Sequence, residues 1–510
     1  TATSLSSTDI LKMLDTDQDI RRSSDIVTRS YAEVKFLKDF SFTANLGLEK
    51  YHETRTRYWQ SETGQAQGTG AYGKVYQNVT VINTQQLLNY NHDFGKHHVD
   101  ALAGHEFNKY LFETLYYNSA YELIPGYVAS ANFVGHYTGG TFSGPGGNEY
   151  ANAMESYLGR ANYIYYNKYY VEASLRRDGS SKFKYNENRW GTFWSVGAGW
   201  RVSGENFMAN TKNWLDNLKV RASYGIIGNQ NGIGNYSGYK TWGYGAKYSQ
   251  TEAGNGIPAS YTLSPGALPN EALTWENTHT TDAGIDFSLF NRVYGTFDVF
   301  NKNTVNAAWS QPIALSLGQS ALEKNSARIQ NIGFEVELNI DIIKNSDLYW
   351  SVTLNGSHFR TILREVPSGV GSAALDGNWT ANADPWSAAG TSSSSNVTYL
   401  RGVGKDYYNI YQFKYGGVDQ NTGLPLFYHK VTEADHSNAL YTDVAVGGDA
   451  MTTNYSTASR YELGSAIPDW IGGLNTTVRY KDFDFTAMFA YQIGGKFYST
   501  EYGNGMYSSS

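Results

Sequence analysis

Phe334-Glu335-Val336-Glu337-Leu338-Asn339-Ile340-Asp341-Ile342 is the stretch on which the fold turns. Every even-numbered residue in it is apolar and every odd-numbered one is polar. A β-strand sends successive side chains to opposite faces, so this pattern predicts a sheet with one apolar and one polar face. Residues 26–36 repeat the alternation, with Arg29, Glu33 and Lys35 on the polar side. Ala283, Ile285, Phe287 and Leu289 oppose Asp282, Asp286 and Ser288 in the same way. Phe483, Phe485, Phe489, Tyr491 and Ile493 oppose Asp484, Thr486 and Gln492.

Counting each alternating run between turn signals as one strand gives about sixteen strands. The first covers 25–37 and the last 483–498; runs at 408–416 and 424–431 are counted among them. Many are far longer than the roughly five or six residues of a globular strand. A tilted membrane-crossing strand needs about nine to eleven. The expected fold is therefore all-β: a transmembrane, antiparallel, up-and-down β-barrel, with residues 1–510 forming a partial barrel domain with long extracellular loops.

The connections sort by length. Short turns fall at Lys38-Asp39, 93–96, Asn167-Lys168, 290–292, 344–347 and Lys481-Asp482. Long segments rich in Gly, Ser, Asn and aromatics fall at 60–73, 117–149, 227–270, 305–328, 362–407 and 432–468. Short and long alternate, as in bacterial outer-membrane barrels with brief periplasmic turns and extended extracellular loops. If Lys38-Asp39 is periplasmic, the first strand runs inward and the last runs outward. A complete barrel starts and ends on the periplasmic side, so an odd number of strands is expected to be missing at each end.

Composition agrees with this reading. The chain has 510 residues, net charge −7, 17% charged residues and 15% aromatics, with 42 Tyr. It has no cysteine, which excludes disulfides, thiol catalysis and Cys-ligated metals. No stretch reaches the roughly 20 apolar residues of a transmembrane helix. The mild acidity and the lack of basic runs argue against nucleic-acid binding. Tyr163, Tyr165, Tyr166, Tyr169 and Tyr170 cluster at one short turn, where an aromatic girdle would meet the membrane interface.

Chemical motifs do not add up to an enzyme. Gly228-Asn229-Gln230-Asn231-Gly232-Ile233-Gly234 is glycine-rich but lacks the Lys-Ser/Thr of a phosphate loop, and no helical pattern follows. His97-His98 are adjacent in a strand, so their side chains point apart and cannot share a metal. Asp376-Gly377-Asn378 and the segment Asn382 to Asp384 lack the spacing of a calcium loop. No metal or cofactor is expected.

Arg176-Arg177-Asp178-Gly179-Ser180-Ser181-Lys182-Phe183 resembles a segment of the SusC/RagA family of TonB-dependent transporters. Gly199-Trp200-Arg201-Val202-Ser203-Gly204-Glu205-Asn206-Phe207-Met208, Gly228-Asn229-Gln230, Leu273-Thr274-Trp275-Glu276 and Asn331-Ile332-Gly333-Phe334-Glu335 follow in the family's order. Gly417-Val418-Asp419 with Thr422-Gly423, then Pro468-Asp469-Trp470 with Gly472-Gly473, extend the similarity over nearly the whole chain. The family's N-terminal plug and TonB-contacting segment have no counterpart in this sequence.

The resemblance implies a barrel of about 22 strands with a plugged lumen. It implies active import of an oligosaccharide or a peptide across the outer membrane of a Gram-negative bacterium. TonB would pull on the absent plug, and a SusD-like lipoprotein would cap the extracellular mouth. Outer-membrane lipid would surround the wall. Rival readings are a passive porin and a non-transporting barrel that serves as adhesin or anchor. Trp242, Trp309, Trp379 and Trp386 fall in the long loops and are the candidate ligand or lid contacts, since an indole face can stack on a sugar or fill a peptide pocket.

Overall fold

The computed structural model describes residues 10–62, 66–135, 146–184, 187–247, 261–266, 268–319, 321–367, 399–497 and 499. A short helix, α1 (Ile10–Thr16), precedes the strands. The wall begins with β1 (Gln18–Phe36), β2 (Phe40–Trp59), β3 (Ala71–Phe94) and β4 (His97–Glu122). A three-residue strand, β5 (Phe133–Gly135), pairs with the end of β4. The wall continues with β6 (Gly146–Tyr165), β7 (Tyr169–Ser180), β8 (Trp190–Arg201) and β9 (Leu215–Asn229). A side hairpin, β10 (Trp242–Lys247) with β11 (Tyr261–Pro265), interrupts it. Then come β12 (Glu276–Leu289), β13 (Val293–Pro312), β14 (Ala321–Lys344) and β15 (Leu348–Glu365).

Residues 399–468 form a separate lobe. In it β16 (Asn409–Phe413) pairs with β20 (Arg460–Ser465), while β17 (Tyr415–Val418), β18 (Pro425–Lys430) and β19 (Asp449–Thr452) make a three-stranded sheet. The helix α2 (Glu433–Ser437) sits between β18 and β19. The wall closes its described course with β21 (Trp470–Tyr480) and β22 (Phe483–Ile493).

Among the described residues, fifteen strands join in one sheet, and its path follows chain order from β1 to β22. All its pairings are antiparallel, as an up-and-down meander requires. Fourteen of the expected runs are wall strands. The runs at 408–416 and 424–431 are not: they lie in the lobe's small sheets, in strands of four to six residues. Such lengths fit a globular strand and cannot span a bilayer. The loop expected at 305–328 is also largely strand, because β13 and β14 stay paired up to Pro312 and Ala321.

Register makes the two faces continuous. Val220, Ile285, Phe297, Val336 and Gly356 lie directly opposite one another across five strands. The adjacent row reads Arg221, Gly284, Asp298, Glu335 and Ser357. Val220, Ile285, Phe297 and Val299 are exposed, as are Val171, Leu175, Trp194 and Val196 on the neighbouring strands. Exposed apolar bands of this size are unfavourable in water and cost nothing against lipid. Aromatics edge the band at both ends: Phe36, Phe40 and Tyr90 pack in sequence at 5.6 and 4.8 Å beside the short turns, and Tyr157 packs on Trp190 at 6.1 Å toward the other end.

The short connections at 37–39, 95–96, 166–168, 290–292, 345–347 and 481–482 all lie at one end of the strands. Three of them carry two consecutive left-handed residues: Leu37-Lys38, Tyr166-Asn167 and Phe290-Asn291. Paired positive φ values match the twist of the flanking strands in tight hairpins. At the far end of β22, Gly494 and Gly495 adopt φ of 75° and 74°, which ends the strand at Ile493 and not at 498.

Candidate functional site

The polar face of the wall is where the structure concentrates ion pairs and side-chain hydrogen bonds. Asn45 on β2 donates to Gln85 on β3 at 2.9 Å, and Gln85 donates to Glu106 on β4. Glu106 pairs with Arg176 on β7 at 2.7 Å; Arg176 also donates to Asp178 at 2.6 Å and to Ser156 on β6 at 2.8 Å. The chain of contacts crosses five wall strands without a break. Alternation puts these residues on one face, and the sheet register brings them level.

A second cluster centres on Arg221 of β9. Its guanidinium lies 3.4 Å from Asp282, 3.1 Å from Asp286 and 2.6 Å from Asp298. Arg221 is thus shared by three carboxylates, and the Lys302 ammonium also acts on Asp282. A Cβ on Gly284 would collide with the Asp298 carboxylate, so the close approach of the cluster to the backbone requires glycine there. A cavity of about 1140 Å³ opens on this same face, lined by Asp100, Glu172, Arg176, Ser195, Arg221 and Asp282 among others. The polar face is thus the concave one. Among the described residues, no group of three or more His, Asp or Glu is placed to hold a metal ion.

Beyond the apolar band, at the end away from the short turns, the motif residues meet. Phe183, Phe193, Ile233, Leu273 and Trp275 form one buried cluster. Lys182 donates to the carbonyls of Gln230 and Ile233 at 3.1 and 2.9 Å. Burial lowers its ammonium below the usual lysine range, with Glu323 acting in the opposite sense. Asn229 donates to Glu276 at 2.7 Å, and the Trp275 indole N–H donates to the Arg189 carbonyl at 3.0 Å. Segments far apart in sequence, 182–183, 229–233 and 273–276, are clamped into one knot. The motifs therefore stiffen the mouth of the wall.

The sequence-predicted tryptophans separate. Trp242 begins β10, is exposed, and has the Lys240 ammonium 4.6 Å above its ring. Trp309 is on β13, buried with Ala307, Ala327 and Leu363. Trp379 and Trp386, with Asp376-Gly377-Asn378 and Asn382 to Asp384, lie outside the described residues. Sequence reading did not single out Tyr121, Leu123, Ile124, Tyr127 and Val134, all exposed near the end of β4. The segment Glu122-Leu123-Ile124-Pro125 carried one signal, an apolar pair beside a turn-forming proline in a long loop.

A continuous antiparallel wall with an apolar outside, a polar concave inside and connections sorted by length is an outer-membrane β-barrel wall. A family model described as "TonB dependent receptor-like, beta-barrel" matches residues 7–432, and the chain belongs to that family. The family is one of outer-membrane receptors and transporters of Gram-negative bacteria, not of enzymes. TonB-dependent receptor P3 of Formosa agariphila is 29% identical over 485 residues, covering 94% of this chain and 45% of that protein. TonB-dependent receptor SusC of Bacteroides thetaiotaomicron is 28% identical over 337 residues, covering 66% of this chain and 30% of that protein. The chain spans about half the length of the first of these relatives. The solved RagAB peptide transporter superposes with a TM-score of 0.74 at 21% identity, over 94% of this chain and 49% of that one, which shows the shared fold.

Proposed function

We propose that this chain is the greater part of the wall of a TonB-dependent nutrient importer that takes up an oligosaccharide or a peptide with the help of a SusD-like surface lipoprotein. The observation that carries the reading is the concave polar face, with its unbroken chain of contacts from Asn45 to Asp178 and its Arg221 cluster. A porin needs a polar lining too, but a surface of paired charges also suits a removable plug, which can dock by polar contacts and leave without exposing apolar surface. The cavity on this face lies behind β6 to β9, where such a plug would sit. The bare edges of β1 and β22, each paired on one side only among the described residues, are where the rest of the wall would join.

On the extracellular side the exposed patch at Tyr121, Leu123, Ile124, Tyr127 and Val134 is the lid contact in this reading. Trp242 keeps its candidacy as a ligand or lid contact because its indole is exposed. Trp309 has little surface to offer and stiffens the mouth by packing. The test is growth of the native bacterium on single oligosaccharide or peptide sources, with and without this gene and with and without TonB. Import predicts that both deletions abolish growth on the same source. Uptake that survives loss of TonB would instead favour a porin. Trp242→Ala is expected to lower uptake severalfold at limiting substrate; unchanged uptake and lid association would remove it from the site.

A further inference from the structure

The outer face carries one feature that neither a plain lipid-facing wall nor an importer requires. A groove of about 490 Å³ runs between β12 and β15 and is lined by Ala283, Val299, Ile332 and Phe334, with Thr281, Asn301, His358 and Arg360. Register places these residues on the apolar side: Ala283, Val299, Phe334 and His358 form one row, and Thr281, Asn301, Ile332 and Arg360 form the next. The groove is therefore not part of the lumen. Its floor is apolar and its rim is polar.

The height of the rim follows from chain geometry. Arg360 lies twelve residues beyond Leu348, the first residue of β15 after the turn at 345–347. At about 3.3 Å per residue and a tilt of about 40°, it stands roughly 30 Å above that end. The apolar band of such a wall is about 25 Å tall. Arg360 thus sits at headgroup level in the outer leaflet, with the apolar floor just below it. Phe334, His358 and Trp470 pack together beside it at 5.5–5.6 Å, as an interfacial aromatic cluster does.

Arg360 is exposed and has no ion-pair or hydrogen-bond partner among the described residues. The nearby cation Arg364 is engaged, donating to Gln330, which in turn donates to Asn301. His358 uses Nδ1 on the Asp469 carbonyl at 2.5 Å, which leaves Nε2 for another group. His358 and Arg360 also border an adjoining cavity on the lobe side with Asp406, Glu462 and Asp469. Glu462 pairs with Lys405 at 2.8 Å and Asp406 accepts from Ser465 at 3.0 Å, while Arg360 pairs with none of the three among the described residues. A guanidinium at headgroup level above an acyl-sized trough matches an anionic, two-part ligand.

We propose that this groove binds an outer-leaflet lipid with a phosphorylated headgroup: the phosphate on Arg360, headgroup hydroxyls along Asn301 and Thr281, and an acyl chain over Ala283, Val299 and Ile332. The test uses the full-length transporter extracted from its own membrane and reconstituted in bilayer discs. The discs contain diphosphorylated lipid A, its phosphate-free form, or neutral lipid with excess inorganic phosphate. Native mass spectrometry reads the bound lipid. Wild type should retain the phosphorylated form, Arg360→Gln should lower that retention on the order of tenfold, and Val299→Trp should lower it by filling the trough with the cation intact. Heat-modifiable gel mobility confirms that each variant is folded. Equal retention by wild type and Arg360→Gln overturns the proposal. So does equal retention of the phosphate-free lipid, or full displacement by inorganic phosphate, which would define a free-anion site.

Discussion

In the wall, apolar side chains such as Val220, Ile285 and Phe297 are exposed while Arg221 and Asp298 are half-buried on the concave side. In the lobe at 399–468 the order reverses: Leu400, Ile410, Val431 and Ala450 are buried, and charged side chains such as Lys405 and Glu462 are exposed. The two regions share one chain and one secondary structure. They differ in solvent. The wall meets lipid, where strands are held by closed backbone ladders and apolar surface carries no penalty. The lobe meets water, where short strands need a core and capped helix ends.

A charge on the outer face should break the wall more severely than any change in the lobe. Leu338→Arg places a cation within the apolar row opposite Gly295 and Leu354 and is expected to cost about 2–4 kcal/mol of stability in the bilayer. Glu337→Arg, one residue away on the polar face, should cost well under half of that. Urea unfolding in lipid vesicles measures both, and equal losses would reverse the assignment of faces.

Next in size is the concave cluster. Arg221→Ala leaves Asp282, Asp286 and Asp298 facing one another without their shared cation. Full burial would make this loss about 3–5 kcal/mol. These side chains are up to one-third exposed, so roughly 1–2 kcal/mol is expected here. Asp298→Asn in the Arg221→Ala background should recover part of it in the same unfolding assay. No recovery would mean that the cluster is not coupled.

Smaller effects belong to the lobe. Thr432 caps α2 reciprocally: its hydroxyl accepts from the Asp435 amide at 3.2 Å, and Asp435 accepts from the Thr432 amide at 2.6 Å. Thr432→Ala should cost about 1 kcal/mol. The loss should be confined to amide exchange across 425–457, with wall protection unchanged. A loss shared by the wall would show that the two regions fold as one unit.

The same carboxylate gives the smallest prediction, a dependence on acid. Bonds from the Thr432 hydroxyl and amide, and from His429 at 2.9 Å, hold Asp435 down to about 2. Its folded value lies below the unfolded one, so its contribution is complete above about pH 4 and fades as pH falls toward 2. Exchange protection of α2 should follow that window, and Asp435→Asn should lose the dependence. A midpoint near neutral pH would assign the effect to another group.

Much of the wall was legible because a period of two survives wherever one face meets lipid and the other meets polar groups. The row through Val336, Leu338 and Ile340 could be read directly. The lobe departs from that expectation: Tyr415–Val418 and Pro425–Lys430 are short, aromatic-containing runs between turn signals, and such a run alone does not distinguish a short strand in water from part of a wall. Trp309 falls in the segment 305–328 that the pattern predicts as a long loop, yet continued pairing of β13 with β14 carries it into a buried cluster. The exposed apolar patch near Tyr121 is not legible in the sequence because exposure of a loop side chain has no sequence period.

By itself the sequence determined the strand directions, the sorting of short and long connections and the two chemically distinct faces, since each depends on neighbours along the chain. It also carried the motif 176–183, but only as a mark of kinship. Tertiary structure alone decided that Phe183, Ile233 and Leu273 share one core and that Asn45 and Asp178 belong to one chain of contacts. It also decided that Arg360, which has no partner among the described residues, stands above an apolar trough. Those facts depend on which residues come level across strands, and register is set by pairings between segments tens of residues apart, where local pattern has no reach.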